Sequence, residues 1–301
     1  MNTLRQDPDT TLAAPHAPVC GCAWHGRRLF TGLLASGLAA PALAAIPECK
    51  RSGFTRAVPA EQIEQSAQQQ YRQMLVQAQS QRGLAPPTHT QVQRLRTIAE
   101  RIIPFAPECN PRASQWRWEV NLIGSPEINA FCMPGGKIGF YYGILAKLQL
   151  SDDEVAVIMG HEIAHALLEH AREQVGKNTL TQTGLRLGAA LLGLGDLGNM
   201  AAQIGSQLLS LTYSRSDESE ADALGLVMSA RAGYRPEAGV TLWQKMVAAS
   251  GGKSPPKLLS THPAGDDRIR DLQARMDRVL PLYEAADKPS RVFGPPPPLK
   301  G

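Results

Sequence analysis

Apolar positions recur along this chain at two periods, about 3.6 and 2 residues, and breaks bearing glycine or proline divide it into helices and a few strands. The Gln-rich stretch 60–82 carries Ile63, Tyr71, Met74 and Leu75 at roughly helical intervals, which predicts a surface helix ended by Gly83 and Pro86-Pro87. Val92, Leu95, Ile98, Ile102 and Ile103 make one buried stripe over residues 90–103, and Pro104 stops that helix. Residues 116–122 alternate in period two and predict a half-buried strand. Two more strands, about 128–132 and 138–142, are joined by Met133-Pro134-Gly135-Gly136-Lys137, whose glycines can take positive φ, so the pair is a hairpin.

Ser151 and Glu154 have the Ser-x-x-Glu form of a capping box, and Val155, Ile158, Ile163, Ala166 and Leu167 supply a buried face for a helix running to about Val175. Residues 180–212 are apolar and glycine-rich, but the longest uninterrupted run, 187–195, is too short to span a bilayer. They are expected to cover the core or form a lid, with peripheral membrane contact as the lesser alternative. Further helices are predicted over 217–231 and 265–279, with a break at Gly233 and Pro236. Gly294 and the four prolines after it predict a disordered or extended tail.

The first 44 residues read as a leader. Arg27-Arg28 precede a weakly apolar Gly/Ala-rich run, and Ala42-Leu43-Ala44 is a small-x-small cleavage site, the pattern of twin-arginine export. A formal net charge of +4 changes little when this leader is removed and gives no reason to expect nucleic acid. Of five cysteines, Cys20 and Cys22 leave with the leader. Cys49, Cys109 and Cys132 then make one disulfide and one spare thiol, without a choice of pair.

The chemistry sits in His161-Glu162-Ile163-Ala164-His165, an H-E-x-x-H in the middle of the capped helix. Positions i and i+4 lie about 40° apart on one face, so both imidazoles reach one metal. Glu162 lies about 100° round the helix, where it can meet a metal-bound water without being a ligand. His170, further along the same predicted helix, reads as a solvated surface residue. A catalytic zinc also needs a third protein ligand and an open position. The acidic run around Asp217-Glu218-Ser219-Glu220-Ala221-Asp222 supplies it: Glu218 and Asp222 are an i, i+4 pair, one to bind metal and one to hold the outer nitrogen of a ligating histidine. Spacing alone leaves Glu220 open as the ligand.

Several blocks together resemble the metallopeptidases that include the bacterial HtpX heat-shock protease and the CAAX prenyl endopeptidase, metallopeptidase family forty-eight. These are Ile128-Asn129-Ala130-Phe131-Cys132-Met133-Pro134-Gly135-Gly136-Lys137-Ile138, then Met159-Gly160 with the H-E-x-x-H, Ser214-Arg215, and Glu218-x-x-Ala221-Asp222. The resemblance implies Glu218 as third ligand and Asp222 as the group that orients a ligand. Ser260-Thr261-His262-Pro263 with Arg268 looks like the periplasmic quality-control branch, which implies His262 and Arg268 near the metal. His262 is expected as a latch in the fourth zinc position or as a catalytic group, and Arg268 as a partner of a substrate carboxylate or oxyanion.

The expected protein is therefore an α+β, zincin-like (gluzincin) metallopeptidase, mostly helical with a small sheet and one zinc per chain. Its expected parts are a leader 1–44, an N-terminal extension 45–90, a catalytic domain 91–285 and a Pro-rich disordered tail 286–301. It is expected in the periplasm, with an association with the outer membrane as a further option. There it cleaves misfolded or misassembled envelope proteins, which pair as strands with the segment at Asn129 and Ala130, and envelope-assembly machinery is a further partner class. The rival reading is a chaperone or assembly factor whose protease is normally silent.

Overall fold

The computed structural model describes residues 49–191, 208, 210–251, 256–262 and 266–298, with side chains left aside at 182–191 and 266. The leader 1–44 and most of 180–212 lie outside the described residues. The Gln-rich stretch is helix α1 (Ala60–Ser80), burying Ile63, Ala67 and Tyr71; Arg82 in the left-handed region ends it. Helix α2 (Thr90–Ile102) starts under the ring of His89, which accepts from the Gln91 amide, and buries Val92, Leu95, Ile98 and Ile102. A short α3 (Ala106–Cys109) follows and ends on a disulfide from Cys109 to Cys49, leaving Cys132 as a buried thiol.

Three strands follow: β1 (Glu119–Ile123), β2 (Ala130–Met133) and β3 (Lys137–Tyr141). Their order is β1-β3-β2, with β1 parallel to β3 and β2 antiparallel to it in the register Ala130↔Phe140. The expected hairpin is β2-β3, and Gly135 and Gly136 in its turn have φ of 81° and 74°. The first strand starts three residues later than its alternation suggests. Trp116 and Trp118 donate their indole N–H groups to Glu64 and to the Ala113 carbonyl, which holds them outside the ladder.

Helix α4 (Tyr142–Lys147), too short to show a period, leads to α5 (Asp152–Leu167). Both reciprocal bonds of the Ser151/Glu154 capping box are present. Helix α5 is buried nearly all round, as expected of a helix at the centre of a core. It does not run to Val175 as its pattern suggests. It ends at Leu167, Glu169 takes φ 61°, and α6 (His170–Leu191) begins in a new direction. Asn110, fully buried, donates to the Leu167 carbonyl and braces the break.

Helix α7 (Arg215–Arg231) opens with a second capping box, Ser214 with Asp217, and crosses α5 in direct contact. Helices α8 (Ala238–Ser250), α9 (Lys257–Thr261) and α10 (Asp266–Ala285) complete the domain. The last continues through Pro281, six residues beyond its expected end, because Val279 and Leu282 remain buried. The tail is extended and bound: the amides of Phe293 and Gly294 donate to Asp152, which also pairs with the fully buried Arg94 at 2.7 Å. Among the described residues no helix is long and apolar enough to cross a membrane.

Candidate metal centre

The four-residue spacing on α5 brings His161 Nε2 and His165 Nε2 to 3.1 Å. Helix α7 presents Glu218 between them, with Oε2 at 3.5 Å from His161 Nε2 and Oε1 at 3.4 Å from His165 Nε2. From the end of α9, His262 Nδ1 comes to 2.9 Å from Glu218 Oε1 and 3.3 Å from His161 Nε2. One ligating atom from each of His161, His165, Glu218 and His262 lies within 4.8 Å of the others, and all four residues are buried. Glu220 points elsewhere, 55% exposed at its side chain, with Oε2 at 3.5 Å from His170 Nε2.

Outside this cluster, Asp222 Oδ1 is 2.9 Å from His161 Nδ1. Arg268 is close by, on the same carboxylates. Its Nε and Nη2 donate to Asp222 and its Nη1 donates to Glu218, while the guanidinium lies 3.6 Å over the Trp243 ring. These bonds commit the guanidinium to two buried carboxylates.

Burial and pairing set the charges. Burial disfavours the charged form of His161, yet the Asp222 and Glu218 carboxylates overcome this and hold its pKa up at about 9. Burial would raise Glu218, and the surrounding His161, His165 and His262 instead hold it far below the carboxylate range. Burial pushes His165 well down. Glu162 is raised by burial, partly offset by His262 and His161. Its Oε1 has no hydrogen-bond partner among the described residues and lies 3.7 Å from His262 Nε2. Convergent imidazole and carboxylate donors beside an unpartnered buried carboxylate oxygen fit a divalent metal with one exchangeable position.

Ala130 opens β2, one of the two edge strands, with Asn129 just before it, and both line one cleft with Glu162, Tyr213 and His262. A second, apolar pocket beside His161 and Glu162 is formed by Val157, Leu242, Trp243, Met246 and Leu258. Three residues near the centre have no signal in the sequence pattern. Tyr213 stacks on the His165 ring at 4.1 Å between centroids, from a segment with no period. Trp243 reads as ordinary core. His170, expected on the surface, is 2% exposed with Nδ1 at 2.8 Å from His165 Nδ1. On a continuous helix it would lie about 140° round from His165; the break at Glu169 turns it back.

An H-E-x-x-H helix crossed by a second helix that carries a buried glutamate, beside a three-stranded sheet, defines a zincin-like metallopeptidase domain. The model of peptidase family M48 matches residues 89–276, and the chain belongs to that family. It is 39% identical over 168 residues to the mitochondrial metalloendopeptidase OMA1 of Arabidopsis thaliana, covering 55% of this chain and 33% of that protein. Human OMA1 is 32% identical over 196 residues, 60% of this chain and 37% of its own. The β-barrel assembly-enhancing protease of Yersinia pestis is 28% identical over 206 residues, 65% of this chain and 41% of its own. The chain thus spans well under half the length of each of these three relatives.

The mitochondrial names of the OMA1 relatives overturn the periplasmic, exported placing expected from the leader. Signals such as paired arginines are addresses read by a receptor, so their composition alone does not assign a compartment.

Proposed function

We propose that this chain is a zinc-dependent endopeptidase in which His161, His165 and Glu218 hold the metal and Glu162 is the general base. The observation that carries the reading is the convergence of those three side chains beside the buried Oε1 of Glu162, which has no hydrogen-bond partner among the described residues. A donor set of imidazoles and one carboxylate, without thiolate, suits zinc. When bound, zinc supplies Lewis acidity to a water and to the scissile carbonyl. Glu162 takes the water proton and returns it to the leaving amine. Asp222 fixes the tautomer of His161 through Nδ1, and Arg268 holds Asp222 and Glu218 in place.

The substrate class is misfolded or misassembled protein, that of the cell envelope included, bound as an added strand along Asn129 and Ala130. What supports it is the place of β2 at one edge of the sheet, lining a cleft with Glu162, and, for the assembly link, the name borne by the Yersinia pestis relative. The proximity of His262 Nδ1 to Glu218 favours a second reading within the same site. His262 closes the fourth metal position at rest, which keeps the protease silent in a protein that otherwise serves as a chaperone or assembly factor.

The test is cleavage of an unfolded model protein by the zinc-loaded chain, with Glu162→Gln as control. The reading expects turnover in the parent and a loss of about 100- to 10,000-fold in the variant at equal zinc content. Full activity of Glu162→Gln with zinc bound sinks the assignment of the base.

A further inference from the structure

We infer that His170 is a positioning residue for the ligand His165, and that Glu220 holds His170 in the tautomer this requires. The inference rests on the metal reading above and extends it to two residues outside the ligand set.

His165 turns Nε2 to the cluster, so its neutral ring carries the proton on Nδ1 when Nε2 binds metal. That N–H needs a buried acceptor, and the atom 2.8 Å away is His170 Nδ1. His170 can accept there only with its own proton on Nε2, and Nε2 faces Glu220 Oε2 at 3.5 Å. Two further carboxylates lie near the His170 ring: Asp217 is committed by its capping box to the Ser214 amide, and Glu173 pairs with Lys177 at 2.6 Å. The chain of contacts therefore runs from Glu220, 3.5 Å from His170, through the 2.8 Å hydrogen bond between His170 and His165 to the metal position. His161 has the direct form of the same support, with Asp222 on its Nδ1. The helix break supplies the geometry: Glu169 at φ 61°, tied to Arg172 at 2.7 Å, lets α6 begin with the His170 ring folded back on His165. Tyr213 stacked on His165 removes the remaining freedom of that ring.

The test measures zinc affinity of the full chain by competition with a chelator, together with ring-nitrogen NMR of the zinc-loaded protein. His170→Leu is expected to weaken zinc binding about 10- to 100-fold. His170→Asn, whose Oδ1 takes the place of ring Nδ1, is expected to stay within about threefold of the parent, since it restores the outer acceptor. His170→Gln, whose amide reaches only the Nε2 position, is expected to behave like the leucine variant. The spectra are expected to place the proton on Nδ1 of His165 and on Nε2 of His170. Unchanged affinity in His170→Leu, or a proton on Nδ1 of His170, overturns the inference. Should the leucine variant not fold, the Asn and Gln pair and the tautomers decide the matter. A parent chain that takes up no zinc overturns the metal reading itself, and this inference with it.

Discussion

Gly160 and Gly225 meet where α5 crosses α7. A methyl group on Gly225 would lie 2.5 Å from the His161 amide nitrogen, and one on Gly160 would lie 2.6 Å from the Gly225 carbonyl. This close approach allows Glu218 and Asp222 to reach the two histidines. Gly225→Ala is therefore expected to force the helices apart, at a cost of about 1–3 kcal/mol. The same separation withdraws Glu218, so the rise in thermal midpoint on adding zinc should shrink as well. Calorimetry with and without zinc checks both, and an undiminished zinc shift would show that the crossing does not set the ligand geometry.

Glu218→Ala is expected to reduce zinc affinity by at least about 100-fold, since a buried ligand is lost. Glu220→Ala removes only the outer support of His170 and is expected to cost less than about 10-fold. Chelator competition on the two variants checks the order, and the reverse order would make Glu220 the ligand.

Metal uptake should depend on pH in a direction set by His161. The ring is held protonated up to about 9 in the metal-free chain, and a ligand must shed its proton to bind. Zinc affinity is therefore expected to rise with pH up to about 9 and to level off above it, and to weaken steadily toward acid. Titration of affinity from pH 6 upward, in a buffer that does not bind zinc, checks the slope.

His262→Ala is expected to leave zinc bound and to speed cleavage or self-digestion, because the side chain 2.9 Å from Glu218 no longer competes for the fourth position. Lost activity at full zinc content would instead give His262 a direct part in the chemistry.

Arg94→Ala is expected to destabilise the fold by about 3–5 kcal/mol, since it leaves Asp152 buried without its counter-ion. Denaturant unfolding measures this. Release of the tail, read as faster proteolysis between residues 286 and 298, should accompany it because Asp152 also accepts from Phe293 and Gly294.

The amino-acid pattern alone determined the parts of this protein that depend on near neighbours. The capping box at Ser151, the i, i+4 histidines, the Gly135-Gly136 turn and the periods of α1 and α2 are all set within a few residues, so their physics can be read in a short window. It also pointed to the turn of α7 that carries Glu218, the residue that the structure brings to the two histidines, though spacing alone did not separate Glu218 from Glu220. Tertiary structure decided whatever depends on which surfaces meet. It chose Cys109 as the partner of Cys49, broke the central helix at Glu169 against the local pattern, and turned His170 inward. It committed Arg268 to two carboxylates and stacked Tyr213 on His165. These outcomes follow from long-range packing: a buried polar group must find its partner wherever the chain brings one, and one-dimensional periodicity carries no record of that partner.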